Sequence, residues 1–178
     1  MEFDKLIQAR RSVRAYDPEK TIDRTVVEEI LKGMQLAPTW KNSQTGRYYV
    51  VLSPEKVAQI KQTCLPAFNQ KSCKDAPALI VTTFVRDVAG YTEGQPDNEW
   101  GNQWGAYDLG MQNAYLCLKA SDLGLDTLIM GIRDAGELRR LLEIPETEDV
   151  AAVIALGVRD GEPVFRRRKS LEDVARFY

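Results

Sequence analysis

The chain has 178 residues, 44% hydrophobic and 28% charged, with a formal net charge of −2. That length suits one well-filled core, the acidic balance supplies no whole-protein positive field for nucleic acid or a membrane surface, and no apolar run reaches the roughly 18 residues of a membrane span. Histidine is absent, which excludes Ser-His-Asp and Cys-His catalysis and every histidine-ligated metal within the chain, so no metal site is expected.

The opening MEFDKLIQARR is rich in acids and has no apolar leader segment, so no secretory signal is expected. Residues 3–9 pattern as a short amphipathic helix with Phe3, Leu6 and Ile7 on one side. A turn is expected at Asp17-Pro18, and Asp23 is placed to cap a helix in which Val27, Ile30, Leu31 and Met34 recur at i, i+3, i+4 and i+7. Pro38 sets its limit. RYYVVL, 47–52, has strand character, and Pro54 opens a helix through about Thr63. ALIVTTFV, 78–85, reads as a central buried strand.

Residues 86–103 form a polar loop with Gly90, Gly94, Pro96 and Gly101 and the aromatics Tyr91 and Trp100. A loop of that length is expected to be functional, and it is the candidate substrate lid or an aromatic anchor. The longest helix is expected from about Trp104 to Leu123, with two apolar stripes that imply burial nearly all round: Tyr107, Met111, Ala114 and Leu118, then Leu109, Leu116, Ala120 and Leu123. Gly124 ends it. LDTLIM is a strand, Asp134 with Glu137 predicts a capping box for a helix over 135–142, and VAAVIALGV, 150–158, is another buried strand. The sum is a single mixed α+β domain over 1–178 with a sheet of four or five strands. Cys64, Cys73 and Cys117, odd in number and without a C-x-x-C pair, fit reduced thiols in a cytoplasmic setting.

ARRSVRAYD, 9–17, places three arginines within five positions. If the backbone is extended there, Arg10, Ser12 and Arg14 share one side and Arg11 and Val13 the other. Two guanidinium groups flanking a hydroxyl suit a phosphate or carboxylate, because each fork donates paired hydrogen bonds. The same residues equally suit a solvated helix end. RRRK, 166–169, is ambiguous in the same way. In LAPTWKNSQTGRYYVV, 36–51, Asn42, Ser43 and Gln44 lie between a helix stop and a strand, where amides either pair with the edge of a heterocycle or make a turn. Neither usual glycine-rich nucleotide cradle occurs, and without histidine a bound organic cofactor is the economical source of chemistry.

Taken together these segments resemble the flavin-dependent nitroreductase family. RRSVRAYD is similar to its opening R-R-S-x-R-x-F segment and LAPTWKNSQ to its A-P-S-x-x-N-x-Q segment. FNQKSCKDAPALIV, 68–81, is similar to its N-Q segment leading into a central strand. DLGMQNAYLCLKASDLGLDTLIMG, 108–131, resembles its long interface helix and following strand, and RRRKSLEDV its basic closing pattern. The order and spacing hold over essentially the whole chain. Thr45-Gly46 stands where Pro-Trp is usual, Trp40 replaces a small residue, Ser72 stands at an often basic position, and Ser170 replaces a proline.

The resemblance implies a nitroreductase-like α+β fold, mainly antiparallel, and a homodimer with two FMN at the subunit interface. By position, Arg10, Arg11 and Ser12 belong to the phosphate-binding segment, joined by Arg166 and Arg168. Arg14 would lie near the pyrimidine edge or ribityl chain, and Asn69 on the pyrimidine side. Thr39, Trp40, Asn42 and Gln44 would reach the flavin of the other subunit, while Met130 and Gly131 would offer mainly backbone donors near its N5. The implied activity is NAD(P)H-dependent oxidoreduction by a ping-pong cycle, delivering electrons to nitroaromatics, quinones or similar flat acceptors without a catalytic acid–base side chain. A specialised same-fold enzyme (ene, dehalogenating or flavin reductase), a non-catalytic FMN binder or sensor, and a structural adaptor are the other readings.

Overall fold

The computed structural model describes residues 2–178. Helix α1 spans Phe3–Ala9. It buries none of its residues, and Phe3 and Ile7 stand open. The chain then runs extended to a turn at Asp17, whose side chain accepts the Glu19 amide at 2.9 Å. Helix α2, Arg24–Met34, buries Val27, Ile30 and Met34 as its spacing requires. Asp23 occupies the N-cap, but its carboxylate accepts no capping bond among the described residues.

Strand β1 is Gly46–Val51 and helix α3 is Pro54–Cys64, capped by Ser53 Oγ accepting the Lys56 amide. A further helix not expected from the sequence, α4, covers Ala67–Ser72. Strand β2, Ala78–Val85, follows. The 86–103 loop is not wholly irregular: β3, Tyr91–Thr92, and β4, Gln95–Pro96, form a small hairpin within it. Helix α5 is Gln103–Asp122. It closes in a Schellman turn, with Gly124 at φ +77° and the Leu125 and Gly124 amides bonded to the Ala120 and Ser121 carbonyls. Strand β5, Asp126–Met130, helix α6, Ala135–Leu142, strand β6, Glu148–Gly157, and helix α7, Leu171–Val174, complete the order. The box at α6 is only half formed. Asp134 accepts the Glu137 amide at 2.9 Å, but the Asp134 amide is held by the Cys64 carbonyl and Glu137 pairs with Arg140 instead.

The main sheet has the order β1-β2-β6-β5 and every pair is antiparallel. β2 and β6 are therefore the central strands, and both are buried almost throughout. One face packs α3 and α6 through Ile60, Leu79, Val153 and Leu138, and the other packs α2 and α5 through Ile30, Ile80, Leu116 and Ile154. Segment 12–16 meets the outer edge of β5 at Ser12, with the Val13 amide on the Thr127 carbonyl at 3.0 Å, and then bridges from Tyr16 to Arg159 just past β6. Glu148, 6% exposed, accepts hydrogen bonds from Tyr49 Oη at 2.9 Å and Thr83 Oγ1 at 2.5 Å, which answers the cost of burying a carboxylate.

Helix α5 departs from its expected burial. Its Leu109, Leu116 and Ala120 stripe is buried, but Tyr107 is 52% and Tyr115 43% exposed on the opposite side. The buried face also takes Asp108, Gln112, Asn113 and Ser121. Close approach to the sheet depends on Gly105, where an added Cβ would meet the Phe84 ring at 2.4 Å. Phe84 is 6% exposed and has no room to retreat. Gly105→Ala is expected to lower stability by about 1–3 kcal/mol through overpacking, read as a fall of the urea unfolding midpoint with an unchanged slope.

Candidate functional site

Two groups of candidate residues form at opposite edges of the sheet. At the β5 edge, Ser12, Arg14 and Arg166 line one cavity of about 220 Å³, together with Val13, Asp160 and Glu162. Of the three arginines only Arg10 sits at a helix end, as the C-cap of α1, and the backbone beyond it is extended. Val13 turns into the core at 2% exposure while Ser12 and Arg14 face the open side. Asp17 and Asp160 fasten this segment by backbone bonds to the Val158 and Ala15 carbonyls. Arg11 stacks on Phe165 of the tail at 4.9 Å, so the two ends of the chain meet here. The acids Asp160 and Glu162 temper the positive charge of the cavity.

Arg10 and Arg168 lie outside that cavity lining. Arg10 stands near Cys117, where burial pushes the thiol up and the Thr127 hydrogen bond and the Arg10 charge oppose the shift. Arg168 donates to the Arg166 carbonyl at 3.0 Å. Asn69, 8% exposed, donates to the Ile132 carbonyl at 2.9 Å and so fixes the chain just beyond β5. Met130 is buried in the core and pairs with Val153 of β6. Thr127 turns its carbonyl outward to Val13, and the two-residue period of a strand turns the amide of Ile129 the same way. Nothing lies within 4 Å of where a Gly131 Cβ would stand. The edge at Ile129 is open backbone with its donor exposed.

At the β1 edge, Thr39–Gln44 makes a compact turn. Its Thr39 and Trp40 carbonyls accept the Asn42 and Ser43 amides, and Thr39 Oγ1 accepts the Gln44 amide at 3.2 Å. Lys41, Asn42 and Gln44 all have positive φ, at 45°, 55° and 49°, a density of left-handed non-glycine residues that marks stored strain. Gln44 Nε2 donates to Asn42 Oδ1 at 3.1 Å, so the two amides present one joined edge. Beside them the Trp40 ring meets Trp104 at 4.6 Å, and Trp104 meets Trp100 at 5.0 Å. Trp104 Nε1 donates to Asn98 Oδ1 at 2.9 Å, which anchors the 86–103 loop to α5. Lys41 reaches Thr92 at 2.9 Å and Asp97 at 3.3 Å on the hairpin.

The two groups do not converge within one chain. β1 and β5 are separated by three interstrand spacings, about 14 Å. Sequence reasoning passed over Asp108, which accepts the Trp40 amide at 2.8 Å, and over Asn98 and Phe165. The one available signal for Asp108 was an acid on the helix face that carries the Leu109, Leu116 and Ala120 stripe.

Comparison with known proteins places this architecture. The model of the nitroreductase family matches residues 7–158. A protein of Archaeoglobus fulgidus named for NADH dehydrogenase or NAD(P)H nitroreductase activity is 30% identical over 165 residues, covering 90% of this chain and 87% of its own. The oxygen-insensitive NADPH nitroreductase of Helicobacter pylori is 25% identical, covering 95% of this chain and 93% of its own. Among solved structures, a protein of Exiguobacterium sibiricum in complex with FMN superimposes with a TM-score of 0.86 at 19% identity, covering 100% of this chain and 98% of its own. The four-stranded antiparallel sheet, the long α5 and a family match from residue 7 to the end of β6 lead to one conclusion: the chain belongs to the nitroreductase family.

Proposed function

We propose that the protein is an FMN-dependent NAD(P)H oxidoreductase that works as a homodimer, with the β5-edge group of one subunit and the Thr39–Gln44 turn of the other facing the same cofactor. The observation that carries this reading is the meeting of Ser12, Arg14 and Arg166, from opposite ends of the chain, in one cavity beside the open edge of β5. The donor set fits the cofactor. Guanidinium and hydroxyl groups match a phosphate, the Asn42–Gln44 amide edge matches a pyrimidine, and Gly131 leaves open space where a side chain would stand beyond β5.

When bound, FMN would supply the redox chemistry for NAD(P)H-dependent, ping-pong reduction of a flat acceptor. The chain's own residues bind and orient. Ser12 and Arg166 hold the phosphate, Arg14 from the same cavity lies beside it toward the ribityl chain, and Arg10, Arg11 and Arg168 add charge around it. Asn69 keeps the Met130–Ile132 backbone in place through its bond to the Ile132 carbonyl. Thr39, Trp40, Asn42 and Gln44 supply the wall from the second subunit, a reading supported by the separation of the two sheet edges. The open faces of α1 and α5, with Phe3, Tyr107 and Tyr115, and the apolar tail with Phe165, Leu171 and Phe177 give a second copy surface to bury. Nitroaromatics and quinones suit the site because an electron-poor ring stacks against the flavin and the indole of Trp40. A cytoplasmic enzyme with reduced cysteines is the setting this reading takes.

The visible spectrum of the purified dimer is expected to show flavin bands that bleach anaerobically with NADH or NADPH; a colourless protein that takes up no added FMN rejects the reading. Ser12→Ala with Arg166→Ala removes two charge-assisted contacts and is expected to weaken FMN binding about 100-fold, measured by fluorescence titration. Co-expression of that double variant with Asn42→Ala/Gln44→Ala is expected to restore tight FMN binding at about one site per mixed dimer. No restoration would place all the determinants within one subunit.

A further inference from the structure

Resting on the flavin-binding reading above, we propose that Asp108 is a positioning residue: from helix α5 it holds the backbone amide of Trp40, and through it the whole cofactor-facing turn 39–44. Asp108 is 1% exposed, and its Oδ2 accepts the Trp40 amide at 2.8 Å across 68 positions of sequence. Three of the turn's other main-chain bonds close on itself: Asn42 to Thr39, Ser43 to Trp40, Gln44 to Thr39 Oγ1. They give the turn its shape but do not tie it to the body of the protein. Asp108, the exposed bond from Arg47 of β1 to the Gln44 carbonyl, the Trp40–Trp104 ring contact and the exposed Lys41 bonds to the hairpin do that. Of these, the Asp108 contact alone is a charge-assisted hydrogen bond to a buried side chain, the strongest class.

The carboxylate is costly where it stands. Among the described residues it has no ion pair, since Lys41, adjacent to its partner, is drawn to Asp97 instead. Burial pushes the Asp108 carboxyl up, with the Trp40 amide acting against the shift. A stable core has no need of such a group, whereas a turn with three left-handed residues needs an external hold to persist. The surroundings bear this out. Of five buried side-chain polar atoms without a partner among the described residues, three belong to this turn and its exit, Trp40 Nε1, Ser43 Oγ and Thr45 Oγ1, and a fourth is Asn113 Oδ1 on α5. The segment thus gives up ordinary satisfaction to keep one shape. The same α5 face also closes on the exit from the turn: a Cβ at Gly46 would fall 2.2 Å from Gln112 Oε1.

The test compares Asp108→Leu with Asp108→Asn, which keeps an acceptor oxygen for the Trp40 amide. Two readouts are independent of turnover: the FMN Kd by fluorescence titration, and the ultraviolet circular-dichroism couplet of the Trp40–Trp104 pair, whose rings are 4.6 Å apart and tilted by 44°. In Asp108→Leu the couplet is expected to collapse and the FMN Kd to rise about tenfold, while Asp108→Asn stays within threefold of wild type on the same scale. A folded Asp108→Leu with an unchanged couplet and Kd and only a lower thermal midpoint makes the residue merely stabilising and overturns the proposal. Equal losses in the Asn and Leu variants overturn it as well. If Asp108→Leu does not fold, Asp108→Ser, whose hydroxyl falls short of the amide, takes its place with the same expectations. If wild type itself binds no FMN, the flavin reading fails. The couplet then decides separately whether Asp108 holds Trp40, retention in the Leu variant overturning that hold and loss with Asn rescue supporting it.

Discussion

The packing of α5 against the sheet is the constraint on which the rest of the molecule depends. The helix approaches the strands closely only because Gly105 and Gly46 carry no side chain where Phe84 and Gln112 press in. That approach buries Leu109, Leu116 and Ala120, but it also takes Asp108, Gln112 and Asn113 out of water. Each must then find a partner inside. Asp108 finds the Trp40 amide, Gln112 the Tyr48 hydroxyl, and Asn113 the Thr82 hydroxyl. The helix that builds the core is thereby also the one that fixes the turn before β1.

From this geometry the division of the site follows. Each antiparallel sheet has two edges, and this one uses both: segment 12–16 and the basic tail gather beside β5, while the left-handed turn gathers beside β1. A single chain cannot close one pocket from two edges three strands apart. In the proposed homodimer a second copy does so, its two-fold axis setting the β1 edge of one subunit against the β5 edge of the other. The outer stripe of α5 and the exposed apolar side chains of α1 and the tail are the surfaces such an arrangement would cover.

The sequence pattern was most informative where a single period governs a buried element. Val27, Ile30 and Met34 of α2, the run Ala78–Val85 of β2 and the run that became β6 all read correctly, since burial on one or both faces leaves a direct imprint on residue type. Reading was weaker where short-range chemistry competes with a tertiary partner. The second half of the α6 capping box was lost because the Cys64 carbonyl took the Asp134 amide and Arg140 took Glu137. Helix α4 and the β3–β4 hairpin went unforeseen because neither is long enough to show a period.

The sequence by itself determined the long buried elements, the two basic clusters, the absence of histidine chemistry and, through motifs in order along the chain, the family. It also marked Asn42 and Gln44, because amides between a helix stop and a strand are a local signal. Only the tertiary structure decided that Ser12, Arg14 and Arg166 share a cavity, that Arg10 and Arg168 fall outside it, and that α5 leaves one stripe open. It alone shows Asp108 facing inward. The physical reason is that hydrophobic periodicity records what a helix buries only when the buried residues are apolar. A polar residue turned into the core is paired with a group 68 positions away, and no local pattern encodes that partner.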